Sequence, residues 1–211
     1  MCKREKLINE IDRLSQEKYD GYESDKPLKM LEWYIKKFNL LNDAIKKKNQ
    51  QIYRGEIYWC DLGENVGCEE VKLRPCVIIQ NQKGNENAPT TIVAPITNTE
   101  INLPVAVPIN RVEDSTITGT IDLGQIRVVS KGRLKGHIGN LKTGERKAVD
   151  RAILNSLGLY KYYKDNKDKS EKIRNLSNKV SNLTKLLNEI TETLGVTDNS
   201  EILNVIKDLK D

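Results

Sequence analysis

Residues 54–81 read RGEIYWCDLGENVGCEEVKLRPCVIIQN: two short apolar runs, near Ile57 to Asp61 and Pro75 to Gln80, held apart by a loop of Gly, Asn and Glu. Short runs punctuated in this way mark the strands of a small β-rich domain. The same texture continues through PTTIVAPIT at 89–97, LPVAVPI at 103–109 and GQIRVVSKGRLKGHIGNL at 124–141. Further strands are therefore expected near Thr91 to Pro95, Val105 to Pro108 and Thr120 to Val128. Two helices should follow, one from about Lys131 and one over Glu145 to Ser156, with Gly158 as its stop. Arg54 and Gly55 open the domain, and Gly55 is expected to supply a turn that needs positive φ.

Outside this middle segment the period changes. Residues 1–50 read as helical, with Leu7, Ile11 and Leu14 on one face. After a break from Asp20 to Pro27, the residues Leu28, Leu31, Ile35, Phe38, Asn42 and Ile45 alternate steps of three and four, the seam of a helix that packs on partner helices. Asn42 would then be a buried amide, which costs stability but fixes register. From Tyr162 the chain is highly charged and then repeats Ile173, Leu176, Val180, Leu183, Leu187, Ile190 and Leu194. That is a heptad pattern ending at Gly195, with a short final helix expected from Ile202 to Leu209. The organisation expected is an N-terminal helical extension (1–50), a compact β-rich domain (51–160) and a C-terminal helical, coiled-coil-like extension (161–211).

Composition narrows the class. Charged residues make up 31% of the 211 against 37% hydrophobic, with one Phe, so apolar residues must be concentrated in part of the chain to make a core. No run approaches the roughly 18 apolar residues of a membrane span, and the start lacks the apolar stretch of a signal peptide, so a cytoplasmic protein is expected. The net charge of +5 is mild and does not by itself identify a nucleic-acid partner. Cys2, Cys60, Cys68 and Cys76 form no C-x-x-C pair, and reduced thiols are expected rather than disulfides or a zinc site.

Familiar catalytic sets are absent. There is no G-x-x-x-x-G-K-[ST], no G-x-G-x-x-G and no H-E-x-x-H, and the single histidine, His137, cannot supply a two-histidine ribonuclease site. A two-metal nuclease would need carboxylates converging at strand ends, whereas the acidic residues of the middle segment are scattered through loops. No metal and no cofactor are expected.

The order and spacing of the four quoted stretches, with an Arg-Pro after the first loop (LRPCV, 73–77) and an Ile-Thr closing the next core strand (APITN, 94–98), closely resemble the MazF/PemK family of toxin endoribonucleases. The resemblance covers about half of the chain. It implies an α+β fold built on an SH3-like small β-barrel, dimerisation, and cleavage of single-stranded RNA by an arginine and a threonine, here Arg74 and Thr97. It also implies the role of a toxin neutralised by a cognate antitoxin protein.

The chemistry suits those residues. If the ribose 2′-hydroxyl attacks its own phosphate, the protein mainly has to orient the nucleotide and stabilise the added negative charge. The planar, permanently charged fork of Arg74 matches phosphate oxygens, and the Thr97 hydroxyl can hold one more. Taken singly, an arginine before a strand proline is more often a surface ion-pair partner, and a strand-end threonine a turn cap. Neither is an obvious base, for which Glu69 is a candidate. Cys68, Glu69 and Lys72 in the loop, with Gln80 and Asn81 at a strand end, are candidate substrate contacts, the last two equally plausible as turn formers. Gln125 and Arg127 are expected to be a buried, hydrogen-bonded pair on one strand face. Cys60 and Cys76 read as small hydrophobes, Cys68 as a loop thiol and His137 as structural.

Two departures stand out. The loop that in relatives often carries glycine with Ser-Glu-Gln here reads Gly67-Cys68-Glu69-Glu70-Val71-Lys72, and the relatives' Glu-Gln-Ile-Arg-Thr becomes Gly124-Gln125-Ile126-Arg127-Val128. The alternative reading is a non-catalytic domain of the MazF/CcdB fold that binds RNA or a protein target. In that case the helical flanks would mediate assembly. On the favoured reading a homodimer or higher homo-oligomer is expected, formed through the barrel and the helical extensions.

Overall fold

The computed structural model describes residues 3–17, 25–110, 112, 115–195, 201–202 and 207. The chain divides into two compact units, Met1–Leu157 and Gly158–Asp211. The first unit holds two helices, α1 (Lys3–Gln16) and α2 (Lys26–Lys47), followed by the strands β1 (Glu56–Asp61), β2 (Leu73–Ile78), β3 (Thr90–Thr97), β4 (Ala106–Ile109), β5 (Gly119–Asp122), β6 (Arg127–Ser130) and β7 (Leu134–Asn140). A short helix α3 (Gln82–Asn87) lies between β2 and β3, and α4 (Thr143–Ser156) follows β7. The break expected from Asp20 and the final helix expected from Ile202 fall largely outside the described residues, as does Cys2.

The strands form one antiparallel sheet in the order β4-β5-β3-β2-β1-β7, with β6 paired to β3. The long β3 is its hinge: its first half pairs with β6 (Thr90↔Ser130 to Val93↔Arg127) and its end with β5 (Ile96↔Ile121, Thr97↔Thr120). The terminal strands of this path, β4 and β7, do not pair, so the sheet is open and the expected small β-barrel is only loosely realised. Successive residues of the central strands enter different cores. Ile57, Val77 and Ala94 join one cluster with Ile96, Ile121, Leu123 and the α4 residues Val149 and Ala152, whereas Tyr58, Cys76 and Val93 join another with Cys60, Ile78, Val129 and Leu134. Burial on both faces explains why these strands read as continuous apolar runs rather than as a clean alternation.

Two expectations are corrected. No helix begins at Lys131: residues Lys131–Arg133 make a single 3-10 turn, and Leu134–Asn140 is a strand along β1. The Lys131 side chain is fully buried, with Nζ donating to the Asn85 carbonyl at 2.6 Å, and burial lowers its pKa. The expected single strand from Thr120 to Val128 is two strands, because Asp122 Oδ1 accepts from Gly124 N at 2.8 Å and caps a 3-10 turn at Leu123–Gln125. The expected α4 forms, its first turn held by Glu145, whose carboxylate accepts from Lys142 N at 2.7 Å. Gly55 has the expected positive φ, 91°.

The α2 helix has two apolar faces. Trp33 and Leu40 are buried, and Ala44 packs so closely on Gly132 that a Cβ there would lie 2.6 Å from Ala44 N. Lys47 Nζ donates to the Leu134 carbonyl and Lys135 pairs with Asp43 at 2.9 Å, so this face is fastened to the rim of the sheet. The seam read from sequence lies elsewhere: Leu28, Ile35, Phe38, Asn42 and Ile45 are exposed. In the second unit, α5 (Tyr160–Leu194) runs for 35 residues with none buried. Its heptad residues Ile173, Leu176, Val180, Leu183, Leu187 and Ile190 form an exposed stripe. Among the described residues no helix is long and apolar enough to cross a membrane.

Candidate active site

The loop between β1 and β2 is closed at its neck by the backbone. Lys72 N donates to the Gly63 carbonyl at 2.6 Å and Leu62 N to the Lys72 carbonyl at 2.9 Å. Lys72 has φ 68°, the only described non-glycine residue with positive φ. Inside the neck, Asn65 Nδ2 donates to the Glu70 carbonyl at 2.7 Å. Gln125 fastens the tip from the far side, its Oε1 accepting from Glu70 N at 2.6 Å and its Nε2 donating to the Cys68 carbonyl at 3.1 Å. Gln125 therefore sits in a turn and grips the loop; the expected buried pair with Arg127 on one strand face does not form.

Arg74 stands just past this loop, at the start of β2, half-buried and opposite Cys60 of β1. Its Nε donates to the Val71 carbonyl at 3.1 Å and lies 2.6 Å from Glu70 Oε2, whose side chain is 13% exposed. Both contacts engage Nε and set the plane of the guanidinium, so the terminal nitrogens are the donors that a phosphate would take. Glu70, rather than the exposed Glu69, is the carboxylate held on the arginine.

Thr97 ends β3 and is buried, at 5% exposure. The last registered pair between β2 and β3 is Cys76↔Pro95, and Arg74 and Thr97 each lie two residues beyond it, at the same end of the same strand pair. Alternation gives them the facing of that pair. The Thr97 Oγ1 is 3.4 Å from both the hydroxyl and the backbone N of Thr99, long for hydrogen bonds, so it is loosely held.

Cys68, Glu69, Gly124, Gln125, Ile126 and Arg127 line an open groove of about 610 Å³, which connects to Arg74 through Glu70, the partner of both Arg74 and Gln125. The structure thus brings Cys68 and Glu69 together with Gln125 and Arg127, residues that sequence reasoning had set aside as support. Lys72 is directed elsewhere, into a cleft with Lys29, Trp33 and Lys36 of α2. Gln80 and Asn81 lie past the other end of β2, roughly 20 Å from Arg74 at the usual rise per strand residue. There Asn81 Oδ1 caps α3 by accepting from Gly84 N at 2.7 Å, and Gln80 Nε2 reaches the Thr90 carbonyl at 3.4 Å.

The remaining singled-out residues have structural surroundings. Cys60 and Cys76 are fully buried and free, and the Cys76 thiol is pushed well up by its hydrogen bond with Cys60 and by burial, which keeps it neutral. Cys68 is free and exposed. His137 stacks edge-on to Tyr58 with ring centroids 5.1 Å apart. Among the described residues no group of three or more His, Cys, Asp or Glu side chains is placed to hold a metal ion.

A family profile described as PemK-like, MazF-like toxin of type II toxin-antitoxin system matches residues 53–157. The Endoribonuclease MazF of Staphylococcus saprophyticus is 40% identical over 114 residues, an alignment that covers 51% of this chain and 92% of that protein. Among solved structures, an endoribonuclease in complex with its cognate antitoxin from Mycobacterial species aligns at 23% identity and a TM-score of 0.45, covering 51% of this chain and 96% of that one. A MazF from Deinococcus radiodurans aligns at 16% identity and a TM-score of 0.45, with the same coverage. With 40% identity across nearly the whole of a MazF, and with the Arg-Pro and Ile-Thr strand ends set side by side, the chain belongs to the PemK-like, MazF-like toxin family.

Proposed function

We propose that this chain is a metal-independent endoribonuclease toxin that cleaves single-stranded RNA, and that a cognate antitoxin protein neutralises it. The observation that carries the reading is the placement of Arg74 and Thr97 at one end of the β2–β3 pair, with Arg74 joined through Glu70 to Gln125, which lines an open groove with Cys68, Glu69 and Arg127. In the reaction, the ribose 2′-oxygen bonds to the adjacent phosphorus while the bond from phosphorus to the 5′-oxygen breaks. The 2′-hydroxyl proton leaves to a base, and the leaving 5′-oxygen gains a proton. Arg74 stabilises the charge that accumulates on the phosphoryl oxygens and on the leaving oxygen, and the Thr97 hydroxyl donates to one of them. Glu70 is engaged with Arg74, so Glu69, exposed on the groove, is the carboxylate available as base. Cellular RNA as the substrate supports a cytoplasmic place of action. The test is a long single-stranded transcript incubated with the purified chain in excess chelator. Discrete cuts are expected; a transcript that stays intact, or is cut only once a divalent metal is restored, would sink the reading.

Within this reading residues 51–160 are the catalytic domain, and 1–50 and 161–211 are extensions of it. The α5 stripe pairs with the same stripe of a second copy as a parallel coil. Ile173 and Val180 occupy one seam position and Leu176 and Leu183 the other, and Lys172 and Lys179 would flank neutral Ser177 and Thr184 rather than like charges. Leu183→Asp then sets a charge on the seam, where burial is costly. The molar mass from light scattering is expected to fall by one level of association, with the melting of the first unit unchanged. An unchanged mass would refute the coil.

A further inference from the structure

The family match begins at residue 53, so α2 lies wholly outside it. Its C-terminal half is fastened to residues 132–135, and its N-terminal half meets a second stretch of the matched domain, 61–64. Trp33 is only 5% exposed, and its ring rests on the backbone of Gly63, where a Cβ would sit 2.0 Å from Trp33 Cε2. Gly63 has φ 80°, so both the turn and the ring require a glycine at that point. The Arg133 guanidinium lies over the Trp33 ring, 5.1 Å from its centroid, and its Nη1 reaches the Asp61 and Leu62 carbonyls at 3.4 and 3.3 Å. Two ion pairs flank the ring. Lys36 Nζ lies 2.6 Å from Asp61 Oδ2, a carboxylate with 3% exposure, and Lys26 Nζ lies 2.8 Å from Glu64 Oε2.

The segment fastened in this way, 61–64, is one half of the neck of the Arg74 loop. Gly63 accepts from Lys72 N and Leu62 donates to the Lys72 carbonyl, so the position of Lys72 is tied to that of Trp33. Lys72 is two residues from Arg74, and within the loop it closes, Val71 and Glu70 hold the Arg74 Nε. The sequence of contacts is continuous: the Trp33 ring, the Gly63 backbone, the Lys72 backbone, and the guanidinium with its two loop partners.

Resting on the reading of Arg74 given above, we propose that Trp33 is a positioning residue for RNA cleavage: the N-terminal extension sets the aim of the Arg74 guanidinium from outside the toxin domain. A guanidinium displaced by about an ångström still attracts the RNA backbone but no longer matches the transition state, so the loss falls on kcat and leaves KM largely unchanged.

The experiment uses the full chain and a short RNA oligonucleotide cut from around a site mapped on a long transcript. Trp33→Leu keeps apolar volume on Gly63 but removes the flat face that Arg133 covers, and Trp33→Phe keeps a flat face. Trp33→Leu is expected to lower kcat by roughly tenfold to a hundredfold with KM within about twofold, and Trp33→Phe to recover most of the rate. If either variant melts early, assay below its transition separates a lost fold from a misplaced arginine. Wild-type kcat in a folded Trp33→Leu protein, or a loss confined to KM, overturns the proposal. Because wild type is assayed alongside, absence of cleavage by wild type itself would count against the ribonuclease reading and not against the role of Trp33.

Discussion

Arg74→Ala is expected to reduce RNA cleavage by about 10³-fold or more, the scale of loss when an arginine that stabilises a transferring phosphoryl group is removed. The fold should survive, because Arg74 is half-buried at the mouth of its loop and the flanking strand residues Cys76, Val77 and Ile78 carry the packing. Arg74→Lys is not expected to restore the rate. The loop holds the guanidinium by Nε, with Val71 and Glu70 as partners, and presents the remaining donors as a plane. An ammonium cannot be held at one nitrogen while offering two others to a pentavalent phosphate. Single-turnover rates on one mapped oligonucleotide measure both variants, and a lysine variant within a few-fold of wild type would mean that Arg74 acts through charge alone.

Thr97→Val is expected to cost on the order of 10²-fold in kcat, the usual effect of losing one transition-state donor. Valine has nearly the shape of threonine, and the Thr97 hydroxyl has only long contacts to Thr99 to lose within the protein, so the melting temperature should hardly move. That combination distinguishes a donor to the substrate from a turn cap. If the hydroxyl only shaped the strand end, stability would fall and the rate per folded molecule would not.

The sequence was most legible where local pattern and tertiary demand coincide. In β1, β2 and β3 the apolar runs fill cores on both faces of the sheet, and the two motifs that marked the candidate site, Arg-Pro and Ile-Thr, lie at the same end of neighbouring strands. It was least legible where pairing overrides pattern. The strand Leu134–Asn140 has no alternation of burial and includes Gly136 and Gly139; it is extended because the open edge of β1 needs a partner. The division of β5 from β6 turns on one aspartate cap inside a stretch that reads as a single run.

The helices of both extensions and the one ending at Ser156 were legible, but the packing face of α2 was not. The α2 pattern of Leu28, Ile35 and Phe38 was visible, but the face that fastens the helix to the sheet consists of Trp33, Leu40 and Ala44 with two lysines, a mixture that periodicity discounts. At the candidate site, the pairing of Glu70 with Arg74 was not legible, because it depends on the folded loop that the left-handed Lys72 closes and Gln125 grips. Gln125 and Arg127 were read as support for the same reason: the turn that brings them to the groove begins at Asp122.

The central claim is that the ribose 2′-hydroxyl is the nucleophile and that Arg74 stabilises its attack. The most direct test is the chemistry of the new RNA ends after cleavage in excess chelator, read by mass spectrometry of the fragments with Arg74→Ala as the control. A 2′,3′-cyclic phosphate on one fragment and a 5′-hydroxyl on the other are expected, both missing with the variant. A 3′-hydroxyl paired with a 5′-phosphate would show that water had attacked instead, and would contradict that claim.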